Sequence, residues 1–289
     1  MTDDTSNTSG NTSRDERVQH SRAATDLLAD LAYLRTIFVN VFFFGPPSAP
    51  DRGWVLIDTG IPHVDAIRAA AAARFGADSR PSAIILTHGH FDHVGSVKQL
   101  MDEWDVPVYA HPLELPYLTG EQSYPPPNPL AGGGMALLSV FYPRGPVDLT
   151  PRVRTLPDDG SVPGMPGWRW IHTPGHTIGH VSLFRDSDRA LIAGDAFVTT
   201  EQESVYAVLT QKEEVNGPPA YFTPDWNAAR ESVQRLDALQ PYLAATGHGV
   251  PMSGADMVQQ LDKLARNFDE LAVPKHGRYS DEVPHEHTK

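Results

Sequence analysis

The chain has 289 residues, 40% of them hydrophobic, which is enough for one large domain or two small ones with a sizeable core. Its formal net charge of −13 at pH 7 repels a phosphate backbone, and no basic patch offsets it, so nucleic acid is not an expected partner. Cysteine is absent, which removes disulfides and thiolate ligands and leaves any metal to imidazole and carboxylate.

Residues 1–22 are rich in Ser, Thr, Asn and Asp and lack the apolar stretch of a secretory signal, which reads as a disordered tail on a cytoplasmic protein. The apolar run Ile37–Phe44 is far short of the roughly 20 residues that cross a bilayer, so a core strand is expected and a membrane partner is not. Thr36–Phe44 and Trp54–Ile57 read as a strand pair, joined through Gly45, Pro46, Pro47 and Pro50. Ala-rich Val64–Phe75, with Gly76 after it, predicts a helix with a C-terminal stop. Ser82–Thr87 predicts a buried strand and Val94–Trp104 a helix. Residues 113–151 break the rhythm with Pro and Gly clusters but keep aromatic and apolar side chains, as a lid or an oligomer contact would. Strands are expected again at Trp168–His172, Val181–Phe184, Ala190–Ala193 and Leu243–Thr246, with a second irregular stretch at 201–224. Trp226–Leu239 and Ala255–Leu271 predict closing helices, the latter started by a capping box of Ser253 and Asp256. This organisation reads as a single domain over 23–275 with a lid-like insertion at 113–151 and a C-terminal tail at 276–289.

Directly after the strand Ser82–Thr87 stands His88-Gly89-His90-Phe91-Asp92-His93, with four potential metal ligands in six residues. Each of these polar groups at the end of a buried strand needs a partner, and a divalent cation can partner several at once. His176, Asp195 and His248 each lie just beyond another strand's carboxyl end. Alone, each reads as a structural residue; their recurrence with the six-residue cluster makes them candidate ligands.

Together these residues resemble the ligand series of the metallo-β-lactamase superfamily, and Leu56-Ile57-Asp58-Thr59-Gly60 resembles its upstream strand-end motif. The resemblance runs from Thr36 to Pro251. It implies an α/β (α+β) four-layer αββα sandwich with the site at the open edge between two sheets. It also implies that His88, His90 and His176 bind one ion, Asp92, His93 and His248 a second, and that Asp195 bridges them. Two divalent ions are implied, Zn²⁺ first, with Mn²⁺ or Fe²⁺ accepting the same ligands. Asp58 is expected either to steady the ligand loop from behind or to cap a turn. His111, His172 and His180 are expected to pack or to support the ligands, while His63, His276, His285 and His287 read as helix-start or tail residues.

The implied chemistry is hydrolysis by a metal-bridging hydroxide, with Asp92 orienting it or accepting its proton. An ester-like small molecule is the expected substrate, a lactone such as an N-acyl-homoserine lactone first, with Phe141, Tyr142, Tyr206, Tyr221 and Phe222 as candidate walls of an acyl pocket. Quorum-quenching lactonases place a Tyr shortly after the bridging Asp, where this chain has Phe197 and Val198. The alternatives are a glyoxalase II-type thioesterase, a phosphodiesterase, a mononuclear iron sulfur-oxidising enzyme and an inactive metal-binding protein. Trp104, the insertion and the apolar loops are candidate contacts for a homodimer.

Overall fold

The computed structural model describes residues 23–201 and 213–280. The tail 1–22, Tyr206, His285 and His287 lie outside them. Two β-sheets stack face to face with helices on both outer surfaces, giving the four-layer αββα sandwich.

The first sheet has seven strands in chain order. These are β1 (Thr25–Leu28), β2 (Leu31–Thr36), β3 (Val39–Phe44), β4 (Val55–Ile57), β5 (Ala83–Ile85), β6 (Val108–Ala110) and β7 (Val153–Thr155). The pairings are antiparallel as far as β4 and parallel from there to β7. The second sheet runs β12-β11-β10-β9-β8, from β8 (Trp168–His172), β9 (Val181–Arg185), β10 (Ala190–Gly194), β11 (Leu243–Thr246) and β12 (Met252–Ser253). Its β10–β11 pair is parallel.

The apolar run of β3 is continuous because both of its faces are buried. Phe42 and Phe44 point between the sheets towards Trp168, Leu183 and Ile192, while Val41 and Phe43 point outward beneath the helices. There α1 (Val64–Phe75) contributes Ile67, Ala70, Ala71 and Phe75, and α3 (Val97–Trp104) contributes Val97, Leu100, Met101 and Trp104. The α3 set follows the i, i+3, i+4, i+7 spacing of one helix face. Trp54 stacks on Phe75 at 4.4 Å and meets Trp104 edge-on at 5.6 Å; each such ring contributes about 1.5–3 kcal/mol by burial. Trp104 is therefore core, not a dimer contact. The outer face of the second sheet is covered by α6 (Trp226–Ala238) and α7 (Ala255–Arg266), followed by α8 (Phe268–Leu271).

Several boundaries differ from those expected. The strand read as Thr36–Phe44 begins later, at Val39, because Ile37 adopts φ 65° and turns the chain, leaving Thr36 as the last residue of β2. The helix read as Val94–Trp104 is preceded by a separate turn, α2 (Phe91–Val94), with Gly95 and Ser96 between them. The hydroxyl of Ser96 donates to Ile61 O at 2.9 Å and accepts from His63 N at 3.0 Å, pinning the break. The capping box does not form: Gly254 is the cap of α7, and Asp256 instead accepts from Gln260 one turn on, at 2.8 Å. The same helix stops at Asn267, where φ −119° and ψ 32° leave the helical region.

Residues 113–151 form short helical turns, including α4 (Leu115–Leu118) and α5 (Gly133–Leu138). They dock on the segment before α6 through Asn128 N to Tyr221 O at 2.7 Å and an apolar cluster of Ala136, Tyr221 and Phe222. Among the described residues no helix is long and apolar enough to cross a membrane.

Candidate metal centre

Five strand ends meet at one edge of the sandwich. Asp58 follows β4, His88 follows β5, His176 lies beyond β8, Asp195 follows β10 and His248 follows β11. The short turn α2 adds Asp92 and His93, with His90 at its N-terminal boundary. His88, His90, Asp92, His93, His176, Asp195 and His248 are all buried, none more than 7% exposed. Their ligand atoms fall into three overlapping groups, each within 4.8 Å: His88, His90 and His176; His88, His93 and Asp195; Asp92, His93 and His248.

Asp195 stands between the outer groups. Its Oδ2 lies 3.6 Å from His176 Nε2, 3.5 Å from His93 Nε2 and 3.1 Å from His248 Nε2, and His248 Nε2 is 3.5 Å from Asp92 Oδ2. The approach of these loops leaves no room beside Gly247, where a Cβ would come 2.1 Å from Asp195 Oδ1.

The donor set fits divalent cations. Among the described residues His88 Nε2, His93 Nε2 and Asp195 Oδ1 are buried without a hydrogen-bond partner, an arrangement that costs several kcal/mol unless something else binds them. Burial, reinforced by neighbouring imidazoles, holds His88 and His176 well below the usual histidine range and brings His90 down to about 3. These rings are therefore neutral, the form in which imidazole binds a metal. On the other side, burial opposes a charge on His93 and His248, but the facing carboxylates, Asp195 with Asp58 for His93 and Asp195 with Asp92 for His248, together raise both. Burial likewise opposes ionisation of Asp195, and the facing imidazoles of His248 and His93 reverse that, holding its carboxyl well below the ordinary range.

The candidate ligands are steadied from behind. Asp58, fully buried at φ 56°, accepts from Thr87 N at 2.8 Å, Thr87 Oγ1 at 2.7 Å and His93 Nδ1 at 2.8 Å. His248 Nδ1 donates to Phe38 O, in the β2–β3 turn, at 3.0 Å. His176 Nδ1 meets Thr223 Oγ1 at 3.1 Å, and His180 Nε2 accepts from Asp195 N at 2.8 Å. His111 and His172 stack on one another at 4.2 Å, outside the three ligand groups.

Sequence reasoning missed Glu114, which is fully buried behind the His88–His90 loop, and Thr223. Nothing in the local pattern marks either. It also missed the role of Asn40, the one polar residue of β3, whose amide donates to Thr246 O at 2.8 Å and Gly249 O at 2.7 Å and so fastens the His248 loop.

The profile of the Metallo-beta-lactamase superfamily matches residues 34–248. The chain belongs to the metallo-β-lactamase superfamily. Among curated relatives it is 49% identical over 234 residues to the "Probable metallo-hydrolase YflN" of Bacillus subtilis (strain 168), covering 80% of this chain and 88% of that one. It is 31% identical over 194 residues to the "Probable metallo-hydrolase YybB" of the same organism, with 67% and 74% covered. Among solved structures it is similar to TTHA1623 in a di-iron-bound form, at 26% identity and a TM-score of 0.55, covering 81% of this chain and 96% of that one. Fold and ligand cluster make this member of the metallo-β-lactamase superfamily a metal-dependent hydrolase with a binuclear metal-binding site.

Proposed function

We propose that this hydrolase opens ester-like small molecules carrying an apolar acyl group, lactones first. The observation that carries this reading is a cavity of about 260 Å³ that abuts His90 and His176 and is walled by Tyr117, Tyr124, Ile178 and Phe222 with several prolines. Among the described residues that line it there is no Lys or Arg, while Asp225 is one of them, so an uncharged acyl group suits it better than a phosphate or the carboxylates of a glutathione thioester. The acyl walls expected from sequence change accordingly. Phe222 lines the cavity, but Phe141 is 80% exposed, and Tyr142 packs instead on Phe91 at 5.4 Å. Phe197 and Val198 are buried and offer no hydroxyl to the site.

In this reading His88, His90 and His176 would hold one ion and Asp92, His93 and His248 the other, with Asp195 available to both. Two divalent ions supply polarisation of the ester carbonyl and water activated at neutral pH. The nitrogen and oxygen donor set suits Zn²⁺, and the di-iron form of TTHA1623 makes iron the second candidate. Asp92 Oδ2, 3.5 Å from His248 Nε2, would orient the attacking water or accept its proton. Tyr124 and Phe222, packed against the His90 ring at 4.6 and 4.9 Å, place the acyl group and exclude water from it.

Proton release from acyl lactones, thioesters and phosphodiesters by the metal-loaded protein tests this, with a His88→Ala, His90→Ala double variant as background. Lactone opening that disappears in the double variant supports the reading. Release from thioesters or phosphodiesters alone transfers the site to that substrate class and ends the lactone proposal.

A further inference from the structure

Glu114 closes a short 3-10 turn, Pro112–Glu114, just after β6. It is 0% exposed, an expensive place for a carboxyl group unless its oxygens are well used. All four partners come from elsewhere in the chain. Oε2 accepts from Gly89 N at 2.9 Å and from the Tyr124 hydroxyl, and Oε1 accepts from Thr177 Oγ1 at 2.6 Å and Gly179 N at 2.9 Å. Gly89 stands between His88 and His90, and Thr177 follows His176. One carboxylate thus joins the two loops that carry one set of three histidines.

The fit around it is close on both sides. A Cβ at Gly89 would come 2.5 Å from the Tyr124 hydroxyl and 3.3 Å from Glu114 Oε2. A Cβ at Gly179 would come 2.8 Å from Glu114 Cγ. Both glycines let the loops press onto the same side chain. Tyr124 extends the connection: its hydroxyl also lies 3.0 Å from Gly89 N, and its ring lies edge-on to His90 while forming part of the cavity wall.

We infer that Glu114 is a positioning residue that sets the spacing of the His88–His90 loop against the His176 loop, and that it ties this half of the metal centre to the substrate cavity through Tyr124. This rests on the assignment of His88, His90 and His176 to one ion. Asp92, His93 and His248 receive nothing from Glu114, so its loss should act on one site and spare the other.

Glu114→Gln keeps the volume but has only one oxygen. Whichever way its amide is turned, the NH₂ faces a backbone N–H, of Gly89 or of Gly179, so one loop loses its acceptor. The test is Co²⁺ binding to the metal-stripped full chain, followed by the visible absorption of each site and by competition with a chelator, beside Tyr124→Phe and the wild type. The expected result for Glu114→Gln is a fall of about tenfold or more in affinity at the three-histidine site, with its absorption band altered and the second site within twofold of wild type. Tyr124→Phe, which keeps three of the four bonds, should show a smaller fall at the same site. Equal weakening of both sites, or none, overturns the proposal. If Glu114→Gln does not fold, Thr177→Val removes a single donor and is held to the same selective outcome. If the wild type binds no second equivalent of Co²⁺, it is the dinuclear assignment that fails, and Glu114 then has no paired site to position.

Discussion

Asp58→Asn is a sharp probe of how the ligands are held, because it changes almost no volume. In the native protein Asp58 Oδ1 accepts from Thr87 N, while Oδ2 accepts from Thr87 Oγ1 and His93 Nδ1. A backbone N–H cannot reverse its role, so the single oxygen of Asn stays with Thr87 N and its NH₂ turns towards His93 Nδ1. Thr87 can rotate its hydroxyl to accept. His93 can accept only by moving its proton to Nε2, the atom that faces Asp195 at 3.5 Å, and a protonated Nε2 is no ligand. The expected loss is about 10–100-fold in metal affinity at the site holding His93, equal to about 1.4–2.7 kcal/mol. The metal-stripped protein should lose only about 1–3 kcal/mol of folding stability from the weakened bonds. Chelator competition with Zn²⁺ reads the first quantity and denaturant unfolding the second. Wild-type affinity in a folded Asp58→Asn protein would refute the reasoning.

Asn40→Ala removes both side-chain hydrogen bonds to the His248 loop, keeps the backbone bond from Asn40 N to Gly247 O and leaves a small cavity; about 2–4 kcal/mol of stability should be lost in denaturant unfolding. Asp92→Asn and His90→Ala should each lower turnover at least about a hundredfold with an unchanged circular dichroism spectrum, and full activity in a variant that retains both ions would remove Asp92 from its role. His111, brought down to about 4 by burial and the nearby His172, is neutral in the folded protein, whereas the unfolded chain takes up a proton at its ordinary value. Its contribution is therefore present above pH 6.5 and is lost as pH falls from there to about 4. His111→Asn, which keeps an acceptor for Leu113 N, should flatten the stability–pH curve in that window, and an unchanged curve would show that another group governs it.

The parts of the fold legible in the sequence were those with long, regular periodicity. Val64–Phe75 and Leu243–Thr246 are found as expected, and α6 ends one residue early, at Ala238. Three-residue strands such as β6 and β7 are too short to show alternation, and β1 and β2 went unread beside a polar N-terminal tail. The candidate ligands were visible because dense His and Asp at strand ends have few structural explanations. Their supports were not, since Glu114 and Thr223 act through contacts 25 and 47 residues away. Asn40 is instructive: a polar residue within an apolar run could have been questioned, but its partners, Thr246 and Gly249, lie more than 200 residues on.

The most direct test of the central claim is to strip the protein of metal and titrate Zn²⁺ or Fe²⁺ back while following both bound metal per chain and hydrolysis of an acyl lactone. A binuclear metal-dependent hydrolase predicts binding that saturates at two ions per chain, with turnover rising as the second site fills. Saturation at one ion, or hydrolysis that does not depend on added metal, would contradict it.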